Sequence, residues 1–541
     1  MATLMLGPVL RHAVGTEATV WVEVNAPCVV SVLGCESGTF CVGGHHYALV
    51  HVEGLEPGTV TPYEVHLDGE RAWPEDDSWP QSVIRTATPD KPLSVVFGSC
   101  RTAYPHEEPY TLTKDQHEEG REVCALRSLA LRLRGQDPSQ WPTAIVHLGD
   151  QIYADEVDPQ TADLIAGEQI ADFEEYTLLY KVSWSEPAIR WLMSTVSNSM
   201  IFDDHDVIDD WNTSSEWLEE IRAQRWWDDR IVGAFVSYWV YQHIGNLTPQ
   251  ALHEDPMFDR IHDLADGLEM LREFACHADR DPCTTRWSFC RDLGSARLIV
   301  IDSRAARVLD PEQRAMVDDA EWAFIEEAAT SCDAHHLLLG TSLPWLLTPG
   351  LQHLEAFNEA ISGGAWGDKH VKRAGEKMRQ AVDMEHWGAF QKSFVKLTEL
   401  IGRVGAGVDG RKPPATITAL SGDVHHAYLA EVEYPPADGV RSRVYQAVAS
   451  PFRNPLDSKE RRVIKAAATK PAAAVARGLA RAAGVARPRI KWKLREKPIF
   501  DNVVAMVHLD GRDAKLQLYR SRSEDGNADE ARLELVYESA L

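Results

Sequence analysis

Thr143-Ala-Ile-Val-His-Leu-Gly-Asp-Gln-Ile-Tyr153 joins a short apolar run to a polar loop. The apolar part is typical of a buried β-strand, and Gly149 allows a tight turn at its end. Asp150 and Tyr153 then fall on one loop, close enough together to bind a single cation. The stretch therefore predicts a strand that delivers metal ligands at its carboxyl end.

Four other apolar runs end in the same way, each followed at once by polar residues. In layered α/β proteins, the crevice at the carboxyl ends of strands is where sites assemble. We therefore expect five strand ends to converge on one place, with Asp302 and Arg304 forming a structural ion pair nearby. These four runs lie at residues 94–97, 297–301, 336–339 and 416–420.

Two further stretches are rich in candidate ligands. Phe202-Asp-Asp-His-Asp-Val-Ile-Asp-Asp-Trp211 concentrates like charge that repels itself unless a cation lies there. Ser421-Gly-Asp-Val-His-His426 follows a strand, and the i, i+2 spacing of Asp423 and His425 points both side chains the same way. His426 alternates to the other side, where a packing role is expected.

The donor atoms favour more than one kind of ion. Cys100, at the end of its own strand, would supply a soft thiolate. Tyr153 binds as an anion only to a strong Lewis acid such as ferric iron, because the pKa of tyrosine is about 10. Carboxylates suit Ca²⁺, Mg²⁺ or Mn²⁺. Together the segments offer enough ligands for two or three ions.

The first ninety residues alternate short β-type runs with turn signals, as in an all-β sandwich. The segment 52–59, followed by Tyr63-Glu-Val, resembles the turn-plus-tyrosine segment of fibronectin type III domains. We predict an accessory sandwich at residues 1–90 and a catalytic domain at 91–541. The latter would include a basic helical insertion at about 457–498 and a β-tail at 499–541.

Two other segments predict secondary structure. Residues 214–242 are expected to form a long helix whose tryptophans pack in the core. The tail returns to β character at 503–509 and 516–519, with a turn at Asp510-Gly511, and is expected to complete the main sheet.

Four ordered motifs resemble the signatures of the PhoD-like (alkaline phosphatase D) family of metallophosphoesterases. They are Gly98-Ser-Cys-Arg101, Gly149-Asp-x-x-Tyr153, Asp203-Asp-His-Asp206 and Gly422-Asp-Val-His425. The similarity spans roughly residues 93–425. It implies an α/β fold with a β-sandwich core flanked by helices, related to purple acid phosphatases.

The resemblance also implies the metals and their ligands. It implies ferric iron beside calcium, with Mn²⁺ or Mg²⁺ as alternatives. Carried over by position, Cys100, Asp150 and Tyr153 would bind iron, and Asp150, Asp423 and His425 would lie on or share the calcium side.

One departure from the family pattern leaves the second metal's ligands open. Asp206 stands where the family often has Glu, and Asp209-Asp210 stand for an Asn pair. An additional carboxylate would change the charge of the site and its metal preference. Either Asp204 or Asp209 is therefore expected to bind the second metal.

The hypothesis that follows is hydrolysis of a small phosphate mono- or diester by a metal-activated water. Arg101 would stabilise charge on the phosphoryl oxygens, and His205 would orient the phosphate or protonate the leaving oxygen. Two alternatives stay open: a phospholipase D-like diesterase acting at anionic membranes, and a non-catalytic metal-binding interaction protein on the same scaffold.

Composition excludes several other classes. The formal charge of −27 disfavours binding to nucleic acid, and no apolar run in the sequence is long enough to span a bilayer. Nine cysteines spread over 541 residues argue for reduced thiols. Because the sequence begins with neither an export signal nor a twin-arginine pair, a cytoplasmic location is expected.

The segment 457–498 has the opposite charge, with thirteen basic residues against three acidic ones. Val475 and Leu479 are spaced as on an amphipathic helix, as are Arg477 and Arg481. Such a helix would lie on an anionic lipid surface or, in the interpretation that we favour, pack as a lid or helix against the acidic body.

Overall fold

The structure is a computed structural model that describes residues 1–367, 369–408, 410–524 and 526–541. Within those ranges, no helix has both the length and the apolar character that crossing a membrane requires.

The amino-terminal region is a β-sandwich of short strands, as predicted. They are β1 (Leu4–Val14), β2 (Glu17–Val24), β3 (Val29–Val32), β4 (Cys35–Gly38), β5 (Phe40–Val42), β6 (His45–Val52), β7 (Val60–Pro62), β8 (Val65–Leu67), β9 (Glu70–Trp73) and β10 (Val83–Arg85). One sheet has the order β1-β2-β6-β5, a second has β4-β3-β8-β9, and β10 pairs with β7. Valines such as Val20, Val30 and Val50 alternate into the core between the sheets.

The rest of the chain is built on two larger sheets. Their strands are β11 (Leu93–Gly98), β12 (Ala144–Leu148), β13 (Ser197–Ile201), β14 (Phe289–Leu293), β15 (Ala296–Ile301), β16 (His336–Thr341), β17 (Thr416–Ser421), β18 (Tyr428–Glu433), β19 (Arg443–Val448), β20 (Lys491–Leu494), β21 (Val503–Asp510), β22 (Asp513–Arg522) and β23 (Arg532–Ala540). The sheet orders are β13-β12-β11-β21-β22-β23 and β14-β15-β16-β17-β19-β18-β20.

Helices cover these two sheets. They are α1 (Ala125–Arg134), α2 (Pro159–Ala162), α3 (Phe173–Trp184), α4 (Pro187–Thr195), α5 (Ser215–Arg222), α6 (Trp227–Ser237), α7 (Ile244–Asn246), α8 (Pro249–His253), α9 (Pro256–His262), α10 (Leu268–Arg280), α11 (Asp319–Thr330), α12 (Pro349–Ser362), α13 (Lys369–Ala381), α14 (Gln391–Ala406), α15 (Ser458–Ala467) and α16 (Lys470–Ala482).

The prediction of one long helix at 214–242 is wrong. α5 ends at Arg222, α6 begins at Trp227, and a π-helical segment, Tyr238–His243, follows α6. Trp227 is buried as expected, but the neighbouring Trp226 is 38% exposed. Across this break the helices remain in contact, with the rings of Trp217 and Trp227 5.9 Å apart, and continuous helical periodicity does not reveal the interruption.

The two large sheets pack face to face, and the carboxyl ends of their parallel strands lie on the same side. β11, β12 and β13 are parallel, as are β15, β16, β17 and β19. Leu338 and Leu420 of one sheet share a buried cluster with Val96 of the other. The carboxyl ends of the parallel strands therefore face a common crevice, and all five predicted strand ends are confirmed.

β13 was not predicted, because Ser-Asn-Ser-Met-Ile has no apolar run. Its polar side chains are buried and satisfied by hydrogen bonds. The Asn198 amide donates to the carbonyl oxygens of Leu10 at 3.1 Å, Met193 at 3.0 Å and Val196 at 2.6 Å. Contact with the amino-terminal sandwich and with the end of α4 thus permits a polar, buried strand at the edge of this sheet.

The amino-terminal sandwich is joined to the other sheets by buried polar contacts. The guanidinium of Arg11 donates to the carbonyl oxygens of Tyr241 at 2.7 Å and Gln242 at 2.6 Å. Tyr63 donates to the carbonyl of Ser194 at 2.5 Å. The domain limits at residues 90 and 91 stay a prediction.

The carboxyl-terminal segments return to the large sheets. β21 pairs antiparallel with β11, so the predicted β-tail completes that sheet. Within the basic segment, β20 pairs with β18 at the edge of the second sheet. α16 turns its alanine face toward α12, where Ala480 and Ala483 share a cluster with Phe357 and Ile361.

Candidate metal centre

Four predicted ligands follow strands with their backbones in the left-handed region. The φ angle is 57° at Cys100, 49° at Asp150, 65° at Asp423 and 50° at His425. Residues with a Cβ rarely adopt this conformation, and those that do cluster at functional sites. Each strained residue turns the chain sharply at a strand end and so directs its side chain into the crevice.

Gly149 lets two of these loops approach each other. Its φ is +107°, and a Cβ there would lie 2.4 Å from the Cβ of Asp203. Only glycine fits this combination of backbone conformation and close approach. The loops after β12 and β13 consequently bring Asp150 and Asp203 side by side.

A compact group of buried carboxylates lies at the centre of the crevice. Ligand oxygens of Asp150, Asp203 and Asp204 all lie within 4.8 Å of one another. Oδ1 of Asp150 and Oδ2 of Asp203 are buried without a hydrogen-bond partner in the described part of the chain. Burial, reinforced by the neighbouring carboxylates, raises the pKa of Asp150 and of Asp203 well above its ordinary value. A cation here would satisfy both orphaned oxygens.

Asp204 also belongs to a second compact group, with His205 and Asp209. The side chain of Asp204 is 7% exposed, whereas that of Asp209 is 65% exposed. Of the two alternatives for a second-metal ligand, Asp204 is the one that lies in both groups. The choice between them stays a prediction.

Cys100 follows β11 of the first sheet, and its side chain contacts the loops that follow β17 and β19 of the second sheet. Its buried Sγ is 3.0 Å from Ser99 Oγ, 3.2 Å from Ser450 Oγ and 3.6 Å from the carbonyl oxygen of Asp423. Burial, and then the charges of Asp150 and Asp423, raise the pKa of the Cys100 thiol well above its ordinary value. This thiol therefore ionises only if a cation binds beside it.

Tyr153 approaches Asp150 from the same loop. Its hydroxyl lies 3.4 Å from Asp150 Oδ2 and 3.3 Å from Asn454 Nδ2, which donates to it. The phenol ring stacks on the imidazole of His205 with centroids 4.6 Å apart. The phenolic oxygen thus faces the acidic group while the ring orients the histidine.

His205 is held by Asp155, a residue that was not predicted. Nδ1 of His205 lies 3.0 Å and 3.1 Å from the two carboxylate oxygens of Asp155. Burial opposes the charge on the imidazole, but the carboxylates of Asp155, Asp204 and Asp150 together outweigh burial and raise the pKa of His205 well above its usual value. The surrounding carboxylates therefore favour the charged form of this imidazole. Proton donation by His205 stays a prediction.

Asp423 is held by a chain of buried groups that was also not predicted. His386 lies between two carboxylates, with Nδ1 2.7 Å from Glu355 Oε1 and Nε2 2.9 Å from Asp423 Oδ2. Although burial acts in the opposite direction, the His386 hydrogen bond and charge lower the pKa of Asp423. The Asp423 carboxylate is consequently ionised and fixed in orientation.

His425 is partly buried and has a free imidazole in the described structure, since no side-chain hydrogen bond is present. Burial is the main cause that lowers the pKa of His425 to about 3, and the nearby charges of His205 and Lys114 add to it. A neutral imidazole is the form that binds a metal. His426 instead packs between Tyr428 and Phe500.

The predicted ion pair between Asp302 and Arg304 is wrong. The Asp302 carboxylate accepts the backbone N–H groups of Arg304 at 2.8 Å, Ala305 at 3.0 Å and Ala306 at 2.9 Å. This local turn satisfies the carboxylate, so the Arg304 guanidinium is free to point elsewhere.

Arg304 instead reaches the acidic group. It pairs with Asp203 and Glu385, and its Nη2 lies 3.1 Å from Asp204 Oδ1 and 3.5 Å from Asp423 Oδ1. Its side chain is fully buried. One guanidinium therefore offsets part of the negative charge of four carboxylates and leaves an excess for a bound cation.

Arg101 is turned toward α3. Its Nη2 donates to the carbonyl oxygen of Ser183 at 2.6 Å and also to the Ser183 hydroxyl. The side chain is buried, at 3% exposure. Contact of this guanidinium with phosphoryl oxygens stays a prediction.

Part of this chain, including two loops of the crevice, is similar to known proteins. Residues 135–274, which include the Asp150 loop and the aspartate-rich segment, match the PhoD-like phosphatase family. The chain contains a PhoD-like phosphatase domain. A solved structure described as "Structure of PhoD" is similar with a TM-score of 0.61 and 13% identity, covering 99% of this chain and 90% of that chain. Residues 1–84 match a domain family of unknown function, DUF7800. None of the curated proteins matches.

Asp206, where the sequence departs from the PhoD-like pattern, is bonded to the backbone. Its Oδ2 accepts the N–H of Asp150 at 3.0 Å and the N–H of Asp203 at 2.8 Å. Its Oδ1 lies 3.5 Å from the donating amide of Gln242. Asp206 thus holds two ligand loops of the PhoD-like domain together.

Sequence reasoning missed other groups of the candidate metal centre for identifiable reasons. Asp203 belongs to the aspartate-rich segment 202–211, so the sequence already marked it as a possible ligand. Asn454 follows β19, a strand that was not predicted. Asp155 lies on the same loop as Asp150 and Tyr153, two residues beyond the quoted motif, so its position after β12 was the available signal. His386 lies in a loop far from any predicted strand end, and the sequence has no pattern that marks it.

Proposed function

We propose that the chain is a metal-dependent phosphoesterase that hydrolyses small phosphate mono- or diesters. Phosphoester hydrolysis is supported by the PhoD-like match. Metal dependence is supported by one observation above the others. Asp150, Asp203 and Asp204 form a buried group in which Oδ1 of Asp150 and Oδ2 of Asp203 accept no hydrogen bond from the described residues, a costly arrangement unless a cation binds.

The residues present fit the metals that the resemblance implies. Cys100, Asp150 and Tyr153 would supply thiolate, carboxylate and phenolate to ferric iron, and Asp150, Asp423 and His425 would be shared with or lie on the calcium side. Asp204 or Asp209 would complete that side, and Mn²⁺ or Mg²⁺ are alternatives to these ions. When bound, such ions polarise phosphoryl oxygens and lower the pKa of water.

The chain's own residues supply the proton and the orientation. His205 is charged and 19% exposed at its side chain, so it can donate a proton to a leaving oxygen at the mouth of the crevice. Asp155 fixes its orientation through Nδ1. Lys114 acts electrostatically on His425 and would attract the phosphate anion from the open side.

The substitution Asp150→Asn tests the proposal, with Asp90→Asn as a control at an exposed position. The purified proteins are analysed for bound metals and assayed with p-nitrophenyl phosphate and bis-p-nitrophenyl phosphate. We expect Asp150→Asn to lose bound metal and most of its turnover, and the control to keep both. A wild-type protein that binds calcium but hydrolyses neither ester would support the alternative of a non-catalytic metal-binding protein.

A phospholipase D-like activity at anionic membranes is a second candidate, favoured by one surface observation. Val463 of α15 and Val475 of α16 are 67% and 65% exposed, among basic side chains. Exposed apolar groups flanked by cations are typical of helices that lie on anionic lipid. Flotation with anionic and neutral vesicles tests this candidate, and absence of binding at low salt would eliminate it.

A further inference from the structure

A basic cleft lies between α12, α16 and β20, formed by residues other than those of the metal centre. It encloses about 390 Å³, and its lining includes four cations, Arg477, Arg481, Arg487 and Lys491. Its described lining residues include no Asp or Glu. This is unusual in a chain with a net charge of −27.

Three basic residues close to the cleft in sequence have acidic partners. Arg489 donates to Asp438 at 2.8 Å, and Arg495 and Lys493 lie 2.8 and 2.9 Å from Glu431. Paired and unpaired cations therefore alternate along the same stretch.

In contrast, the cations of the cleft form no ion pair with a carboxylate in the part of the chain that the structure describes. Four positive charges thus line the cleft without a carboxylate partner among the described residues. An anion from solution would supply a counter-charge.

His353 lines the cleft, and its pKa is affected by the positive charges of the cleft. Nε of Arg477 donates to Nε2 of His353 at 3.3 Å, so this imidazole is neutral. Burial, and then Arg477 and Arg481, lower the pKa of His353 to about 4. The histidine is 8% exposed and turns its ring toward Trp492, with centroids 6.0 Å apart.

Trp492 gives the cleft a fixed apolar wall. Its indole N–H donates to the carbonyl oxygen of Leu347 at 2.9 Å, which holds the ring in place. A larger neighbouring cavity of about 980 Å³ differs in charge, because Lys372 and Arg379 lie there among Glu359 and Glu376. The unbalanced positive charge is thus a property of the smaller cleft.

We infer that this cleft binds a phosphate-bearing anion at a second site, apart from the metal centre. Guanidinium groups match phosphate oxygens in a bidentate manner, and three of the four cations are arginines. A volume of about 390 Å³ accommodates a small phosphorylated molecule or the phosphate headgroup of one lipid. The inference goes beyond the proposed function and does not depend on it.

Calorimetric titration with inorganic pyrophosphate tests the inference. The titration uses Asp150→Asn protein, so that metal ions at the centre contribute little to binding. In this background Arg477→Gln combined with Arg487→Gln removes two cleft cations. The combination Arg461→Gln with Arg462→Gln removes two cations of α15 that do not line the cleft.

We expect the cleft variant to bind pyrophosphate about 10- to 100-fold more weakly, because it loses charge-assisted hydrogen bonds. The α15 variant should bind within about twofold of its parent, since long-range charge contributes little at physiological salt. Equal weakening in both variants would show a general charge effect and overturn the inference.

Vesicle flotation distinguishes a lipid phosphate from a free one. The same variants are floated with vesicles containing phosphatidic acid and with vesicles of phosphatidylcholine alone. Binding of phosphatidic acid that is lost only in the cleft variant supports the inference with a lipid as the source. No binding of either pyrophosphate or phosphatidic acid by the parent protein overturns it.

Two controls separate this inference from the proposed function. Thermal unfolding of the cleft variant should match that of the α15 variant, which excludes a folding defect. In the otherwise wild-type chain, the two cleft substitutions should leave hydrolysis of p-nitrophenyl phosphate unchanged. Loss of pyrophosphate binding with turnover retained would therefore establish the cleft independently of the chemistry at the metal centre.

Discussion

The imidazole of His205 lies 3.0 Å from the Asp155 carboxylate, with the ring of Tyr153 stacked on one face. The contact fixes which nitrogen faces the crevice and favours the charged imidazole. A residue placed in this way can donate a proton at alkaline pH, where an ordinary histidine is neutral.

Asp155→Asn should shift the pH dependence of turnover. Because Asp155 raises the pKa of His205, its removal lowers that pKa, and the charged donor is lost at a lower pH. The alkaline limb of the kcat profile should move to lower pH, and turnover at alkaline pH should fall by roughly 10- to 100-fold. The test is to measure kcat as a function of pH for the wild-type protein and the variant at equal metal content. An unmoved alkaline limb would contradict a proton-donating role for His205.

Tyr153→Phe tests the phenolate ligand by spectroscopy. If ferric iron is bound as proposed, the wild-type protein should have a visible tyrosinate-to-iron absorption band, and the variant should lack it. Tyr537→Phe, in β23, is the control because it also removes one phenol. The absorption spectrum and iron content are measured together. A band that persists in Tyr153→Phe with iron still bound would assign the colour to another ligand.

Glu355→Gln tests whether the buried chain through His386 tunes the metal centre. The Glu355 carboxylate lies 2.7 Å from His386, which lies 2.9 Å from Asp423. Loss of such an orienting partner typically weakens metal binding by about 10- to 100-fold. Titration of metal-depleted protein with Ca²⁺ or Mn²⁺ measures the affinity, and Glu399→Gln on α14 is the matched control. Equal affinities in both variants would leave Glu355 with a packing role alone.

The sequence predicted the parts of the centre that periodicity reveals. Apolar runs ending in Gly-Asp or Gly-Ser-Cys marked β11, β12 and β17, and their polar ends do face one crevice. Burial of a strand on both faces leaves a continuous apolar signal, and this was sufficient to place Cys100, Asp150 and Asp423.

The remaining parts depend on contacts between distant segments. The buried Asn198 amide of β13 donates to a carbonyl oxygen of the amino-terminal sandwich and to two at the end of α4, so this strand can be polar and no apolar run marks it in the sequence. Arg304 follows a predicted strand and was expected near the site, but its partners Asp203 and Glu385 are distant in sequence. His386 reaches Asp423 from a loop that carries no metal-binding pattern. Tertiary packing alone brings them there.

Arg304→Gln should destabilise the fold in a manner that added cations reverse. Arg304 is fully buried among Asp203, Asp204 and Glu385, so its removal leaves uncompensated carboxylates, which typically costs about 3–5 kcal/mol. Arg297→Gln is the control, because Arg297 pairs with an Asp292 side chain that is 60% exposed, and such a pair contributes only ~0–1 kcal/mol.

Urea unfolding with and without Ca²⁺ or Mn²⁺ measures both effects. A bound cation stabilises only the folded state, so the ions should raise the free energy of unfolding of Arg304→Gln more than that of Arg297→Gln. The reason is that the guanidinium and the metal offset charge on the same carboxylates. An equal response of the two variants to added ions would show that Arg304 stabilises the fold without sharing the electrostatics of the metal centre.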